Sequence, residues 1–262
     1  MQYTDFIKQL DHKPGRERLE RIIAWLEEHR VTYRRQEYAT GTNLVVDLGA
    51  SPLRLGIGSH FDIVQKSGGA NDNGSAIAVC LNIIGQFNQK GHTGMGLRIF
   101  FFDEEETGLK GSAAYTHQYG IADLTGLLNL ELVGMGDKFA LWPVNQQHAG
   151  SLLRAFERAA RKNNVQSTRF DKIITNTADH LSFRNAGLAD AFTITCISDK
   201  DLSAAGRYYN ALEGGAGHDA LFDILSRAPV FTHYHQPTDT WEKIDEGAIL
   251  MTANTIWDTI TG

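Results

Sequence analysis

The stretch Leu97-Arg98-Ile99-Phe100-Phe101-Phe102-Asp103-Glu104-Glu105-Glu106-Thr107-Gly108-Leu109 decides how this chain is read. Leu97 to Phe102 reads as an apolar run without polar alternation, and such runs suit a central strand covered on both faces. Three consecutive carboxylates follow. At a buried strand end they would repel one another and resist desolvation. A bound cation relieves that cost, and a solvated acidic turn avoids it; both readings stand for the triplet alone. In extended chain neighbouring side chains diverge. Glu106 can then bind a metal while Glu105 addresses the metal's water as general base.

Working outward, Asn43 to Leu48 and Leu53 to Gly58 read as strands, with Gly49-Ala50-Ser51-Pro52 as a hairpin-like turn between them. Leu127 to Val133 reads as another buried strand, interrupted by Asn129 and Glu131, and Asp190 to Ile197 as a further one. Helical spacing marks Leu19, Ile22, Ile23 and Leu26, punctuated by Pro14 and Gly15. Ser75 to Phe87 reads as an apolar helix that Gly91 can end. Leu152, Leu153, Phe156 and Ala160 mark another helix, and Ile249 to Ile260 an amphipathic last one. Strands alternating with helices predict a layered α/β domain with helices on both sheet faces. Without an internal repeat or low-complexity linker, one domain over residues 1–262 is the economical reading. The less periodic stretch 199–232, with Gly214-Gly215-Ala216-Gly217, suits a lid or rim over a site.

Four more residues join Glu106 as candidate ligands. His60 follows a strand, and Asp62 two residues on can orient its ring by accepting the second N–H; alone, the pair reads equally as a surface His beside a surface Asp. Asp72, among Gly69, Asn73 and Gly74, is a turn or helix-cap residue or a bridging carboxylate, and the two roles can coexist. Glu131 breaks an apolar run and needs a partner there, either a metal or a basic side chain. His235 lies in the turn-rich His233-Tyr234-His235-Gln236-Pro237-Thr238-Asp239-Thr240, where His233 competes with it. His12, His29, His92, His117 and His148 lack such context and read as surface residues. Two imidazoles and three carboxylates suit borderline divalent metals, zinc above all. If one carboxylate bridges, two ions each gain one His and one further carboxylate, leaving room for a shared water.

The formal charge of −6 gives no reason to expect a nucleic acid or an anionic membrane as partner. Cys80 and Cys196 both lie in apolar runs and read as buried reduced thiols, with a disulfide as the minority alternative. No segment approaches the length of a membrane span, and the first residues lack the pattern of a secretory signal. The expectation is a cytoplasmic, soluble protein; nothing in the sequence sets an oligomeric state.

Taken in order, Gly58-Ser59-His60-Phe61-Asp62, Gly69-Ala70-Asn71-Asp72-Asn73-Gly74-Ser75, Glu105-Glu106-Thr107-Gly108-Leu109-Lys110-Gly111-Ser112, Asp179-His180-Leu181-Ser182-Phe183 and His235-Gln236-Pro237-Thr238-Asp239-Thr240 resemble motifs of the co-catalytic zinc aminopeptidase superfamily. That superfamily also contains glutaminyl cyclases and glutamate-carboxypeptidase relatives. The resemblance covers most of the chain. It implies a mixed, mostly parallel sheet sandwiched by helices. It implies one zinc held by His60, Asp72 and Glu131, a second by Asp72, Glu106 and His235, Glu105 as general base, and Asp62 orienting His60. One position departs: the family usually has Asp where Glu131 stands. The extra methylene permits ligation with a small shift, or weakens the first metal site, or alters its preferred metal. The implied activity is removal of the N-terminal residue from peptides with a free amine. A glutaminyl cyclase is the runner-up, although such cyclases tend to place Trp where Tyr234 stands. A carboxypeptidase would need a basic group such as Arg184 or Arg207. A silent binding module on the same fold would have lost the ligands, and here each position keeps a metal-competent side chain. Substrate selectivity is sought in the 199–232 segment, with Tyr208, Tyr209 and His218.

Overall fold

The computed structural model describes residues 3–91, 94–171 and 177–262; His92 lies outside them. Helices α1 (Tyr3–Leu10) and α2 (Gly15–Glu28) open the chain, followed by strands β1 (Arg34–Glu37), β2 (Thr42–Leu48) and β3 (Arg54–His60). The turn Ala70–Gly74 leads into α3 (Ser75–Lys90), β4 (Gly96–Phe102), α4 (Lys110–Tyr119), β5 (Leu124–Leu130) and β6 (Lys138–Trp142). Then come α5 (Ser151–Lys162), β7 (Ser167–Arg169), α6 (His180–Asn185), β8 (Ala191–Ile197), α7 (Asp199–Glu213), α8 (His218–Ser226) and α9 (Glu246–Thr261).

The strands form one sheet in the order β1-β2-β4-β3-β5-β8-β6-β7. Its centre, β4-β3-β5-β8, is parallel, while β1-β2, β2-β4 and β6-β8 pair antiparallel. The α/β expectation therefore holds, and β4 shows why. Its successive side chains point to opposite faces: Leu97, Ile99 and Phe101 join the larger core beneath α1, α2, α3, α5 and α9, whereas Phe100 and Phe102 pack with Tyr115 and Phe183 from α4 and α6. A strand apolar on both faces needs helices on both.

Three readings change. β4 is not wholly apolar: Arg98 is buried within it, bonded to Asp47 (2.6 and 3.2 Å), Asp123 (2.7 Å) and the Tyr115 hydroxyl (2.9 Å). Those partners are what let a guanidinium sit in a covered strand. Gly49 to Pro52 is not a hairpin, because β4 lies between β2 and β3 and pairs with both. The strand placed at Leu127–Val133 runs from Leu124 to Leu130, so Glu131 stands one residue past its end.

The 199–232 segment folds mainly as helices α7 and α8. Its periodicity is faint because α7 buries only Asp201, Ala204 and Tyr208. A capping box starts it, with the Ser198 side chain accepting from the Asp201 N–H and Asp201 from the Ser198 N–H. Strands β1 and β7 left no apolar signal, being Arg-Arg-Gln-Glu and Ser-Thr-Arg. Cys80 and Cys196 are free and buried. Among the described residues no helix is long and apolar enough to cross a membrane.

Candidate metal centre

Parallel strands end on one side of a sheet, and loops that leave those ends converge there. His60 is the last residue of β3 and stands level with Phe102, the last of β4. Glu105 and Glu106 follow β4, and Glu131 follows β5. Asp72 comes from the turn before α3. His235 lies between the short helical turns Pro229–Phe231 and Trp241–Lys243. It takes a left-handed backbone, with φ 59°, which is costly for a residue with a Cβ and recurs at functional sites.

These side chains meet. His60 Nε2 lies 3.3 Å from Asp72 Oδ1 and 3.3 Å from Glu131 Oε2. His235 Nε2 lies 3.3 Å from Asp72 Oδ2 and 3.1 Å from Glu106 Oε2. Asp72 thus presents one oxygen to each imidazole. Donors 2.0–2.1 Å from a tetrahedral zinc are about 3.3 Å from one another, and each imidazole keeps about that spacing to its two carboxylates. Ligand atoms of His60, Asp72 and Glu106 all fall within 4.8 Å of each other. Asp72 Oδ2, Glu106 Oε1 and His235 Nε2 are buried without a well-formed hydrogen bond, which is how atoms reserved for a metal present themselves. The donor set therefore fits divalent-metal binding, with Asp72 placed between the two imidazoles.

Glu131 reaches despite its extra methylene. Asn73 Nδ2 donates to its Oε2 at 2.8 Å and Asn129 Nδ2 to its Oε1 at 3.2 Å, so both oxygens are braced. Its partners are these amides and His60; no basic side chain among the described residues pairs with it. Behind Asn129 the bonds continue. Thr193 Oγ1 accepts from Asn129 at 3.1 Å and lies 2.7 Å from His180 Nδ1.

Asp62 does more than flank His60. Its carboxylate oxygen lies 3.4 Å from His60 Nδ1, and its backbone carbonyl lies closer, at 3.2 Å. The same carboxylate accepts the backbone N–H groups of Glu105 and Glu106, each at 3.1 Å. One acidic side chain thereby ties the β3 loop to the β4 loop. Glu104 turns away to Lys110 and Thr40, so the three consecutive carboxylates do not share one environment.

Burial acts to lower the His60 pKa, yet Glu131, Asp62 and Asp72 together hold it well above the usual imidazole value. His235 is opposed by burial in the same way, but Asp72 and Glu106 carry it up to about 9. Burial drives Glu105 well above the carboxylate range, with Glu131, Asp179 and Glu106 adding to the rise and His60 opposing it. Burial also carries Glu131 upward, and Asp179 up to about 8. Surplus negative charge of this kind is what divalent cations offset.

Sequence reasoning missed Asp239 and Arg18. Asp239 accepts the N–H groups of Asn71 (2.8 Å) and Asp72 (3.0 Å) and is fully buried. Its place two residues after Pro237 in the final-histidine motif was the available signal. Arg18 lies in α2, far in sequence from any motif, and gave none. His233 is not among the converging side chains: it is half-buried and its Nδ1 sits 2.9 Å from Thr238 Oγ1. His12, His29 and His117 are exposed, and His148 is half-buried beside Asp190.

A cavity of about 130 Å³ opens from the centre. Glu105, Glu131, His60 and Asp72 form one end, while Ala140, Trp142, Phe170, Ile197, Tyr208 and Tyr209 line the body. No Lys or Arg is among the described residues lining it, and neither is His218. Arg184 is engaged elsewhere, its Nε donating to the Ala191 carbonyl at 2.6 Å.

A family model described as peptidase family M28 matches residues 43–260. The probable lipoprotein aminopeptidase LpqL of Mycobacterium tuberculosis is 27% identical over 218 residues, covering 77% of this chain and 41% of that protein. The chain thus spans well under half of that relative's length. Among solved structures, a Zn-dependent exopeptidase from Parabacteroides distasonis superposes with TM-score 0.75 at 15% identity, over 100% of this chain and 97% of that one. The glutaminyl cyclase of Porphyromonas gingivalis does so with TM-score 0.73 at 19% identity, over 97% and 95%. At such identities these two likenesses speak for the fold alone. The family match is different in kind, because it spans most of the chain and contains every converging side chain from His60 to His235. The chain belongs to peptidase family M28.

Proposed function

We propose that this chain is a zinc-dependent aminopeptidase that removes the N-terminal residue of peptides through a two-metal site. The observation that carries the reading is Asp72, whose two oxygens each face a different imidazole at 3.3 Å. His60, Asp72 and Glu131 would hold one ion, and Asp72, Glu106 and His235 the other. When bound, the ions polarise the scissile carbonyl and acidify a water.

The remaining steps belong to the protein. Glu105 lines the cavity beside His60, Asp72 and Glu131. Its carboxylate takes the proton of the attacking water and returns it to the leaving amine. Asp62 fixes the backbone of Glu105 and so the direction of that carboxylate. A free substrate α-amine is drawn to the carboxylates of the centre, which makes cleavage terminal. The apolar cavity body, without a cationic side chain among its described lining, suits an aliphatic or aromatic first residue and offers nothing to a substrate carboxylate. The α7–α8 segment contributes Tyr208, Tyr209 and Leu225 to the lining of that cavity.

A glutaminyl cyclase is the second reading, because the Porphyromonas gingivalis cyclase shares this fold over nearly its whole length. Zinc-loaded protein incubated with free and N-acetylated peptides, including N-terminal Gln peptides, with and without chelator, separates the two. Chelator-sensitive loss of one residue from free peptides alone supports the aminopeptidase. Loss of ammonia from the Gln peptides without residue removal replaces it with the cyclase. Unchanged peptides throughout count against both.

A further inference from the structure

Arg18 is the largest fully buried side chain among the described residues. It stands on α2, outside the span that the family model matches. Its Nη1 donates to the carbonyl of Phe61 at 3.3 Å and its Nη2 to that of Gly69 at 2.5 Å. Phe61 lies between His60 and Asp62, and Gly69 opens the turn that holds Asp72. One guanidinium therefore fastens together the two loops that deliver His60 and the shared carboxylate.

The recess is shaped for it. A Cβ on Gly69 would fall 2.9 Å from Nη1, and one on Gly74 would fall 3.0 Å from Nη2. Burying a cation is costly unless nearby negative charge offsets it. Here the charges of Asp72, Asp239, Asp62 and Asp11 act on the guanidinium, yet its hydrogen bonds go to carbonyls. A lysine or arginine bonded directly to Asp72 would occupy the lone pairs that a metal needs. A guanidinium held on backbone oxygens lowers the repulsion among the carboxylates and leaves those lone pairs free.

We infer that Arg18 is a positioning residue for the metal centre, setting its affinity by clamping the Phe61 and Gly69 carbonyls. The inference rests on the reading of the site as a metal centre. The full chain, stripped with chelator, is titrated with zinc against a chromophoric competitor as wild type, R18K and R18M. The same proteins are loaded with cobalt(II), and their visible spectra and melting curves are recorded.

R18M is expected to bind zinc about 10–100-fold more weakly, with an altered cobalt spectrum. R18K, which keeps the charge and at most part of the clamp, is expected to fall between. A residue that only fills the core would lower the melting temperature while leaving the zinc affinity and cobalt spectrum of the folded protein as in wild type. That result overturns the inference. If R18M does not fold, R18K decides: wild-type affinity and spectrum in that variant overturn it. A wild type that takes up neither zinc nor cobalt removes the metal-centre reading itself, and the two failures are distinct.

Discussion

Asp239 holds Asp72 by its backbone: the Asp239 carboxylate accepts the Asp72 N–H at 3.0 Å and the Asn71 N–H at 2.8 Å. The side chain of Asp72 is thereby left for the two imidazoles, and the segment carrying His235 is bound to the loop carrying its partner. Burial lifts Asp239 to about 6, against the pull of those two N–H donors. Removing the clamp in D239A should weaken zinc binding about 10–100-fold. D239N keeps one acceptor oxygen and should lose less. Competitive zinc titration of both variants checks the ordering, and equal affinities would contradict it.

Glu105 is the residue whose loss should separate turnover from metal binding. E105Q keeps the shape of the side chain and removes its ability to take a proton. Its kcat should fall by about 10²–10⁴-fold, while zinc content measured by atomic absorption stays at the wild-type level. Activity near wild type would dismiss Glu105 as the base.

Ala140 lines the cavity where a larger side chain would fill it. A140F should lower kcat/KM for peptides beginning with Leu or Phe by about 10–200-fold, and leave peptides beginning with Ala little changed. A uniform loss across the panel would mean that the first residue is bound elsewhere.

His180 should make the fold sensitive to acid. Burial pushes its ring down to about 3, with Arg184 adding to the fall, against an ordinary value of 6.5. Between those values the unfolded chain takes a proton that the folded chain refuses. Stability contributed here is therefore full above about pH 6.5, falls as the pH drops toward about 3, and levels off below. Asp179, lifted to about 8 by burial, works in the opposite sense, because its folded form keeps the proton. The difference between wild type and H180Q isolates the imidazole. Urea midpoints across that window should decline more steeply with acid in wild type than in H180Q; parallel curves would disprove the assignment.

The centre of this molecule is written plainly in its sequence. The apolar run before Glu105 and Glu106 marks a strand buried on both faces, and its end is where the carboxylates stand. His60 and Glu131 were legible for the same reason, each sitting at the close of a neighbouring strand. What stayed hidden depends on contacts between distant segments. Gly49 to Pro52 has turn chemistry, and no local signal reveals that β4 enters between the strands it joins. Arg98 interrupts its strand visibly, but only the fold brings Asp47 and Asp123 to it. Arg18 sits among the charged residues of α2 and looks like a solvated helix face, because the carbonyls it meets lie 43 and 51 residues away.

The strand order also constrains how the chain comes together. β3 pairs with β4 and β5 and not with the strand immediately before it. During synthesis β3 therefore emerges well before either of its neighbours, and α3 must fold or wait alongside it. Closing such non-local pairs carries a loop-entropy cost before any contact rewards it, which slows folding. Phe100, Phe101 and Phe102 in turn stay exposed until both flanking strands and their covering helices are in place. The strand that leads into Glu105 and Glu106 is thus also a segment exposed to aggregation in a half-folded chain.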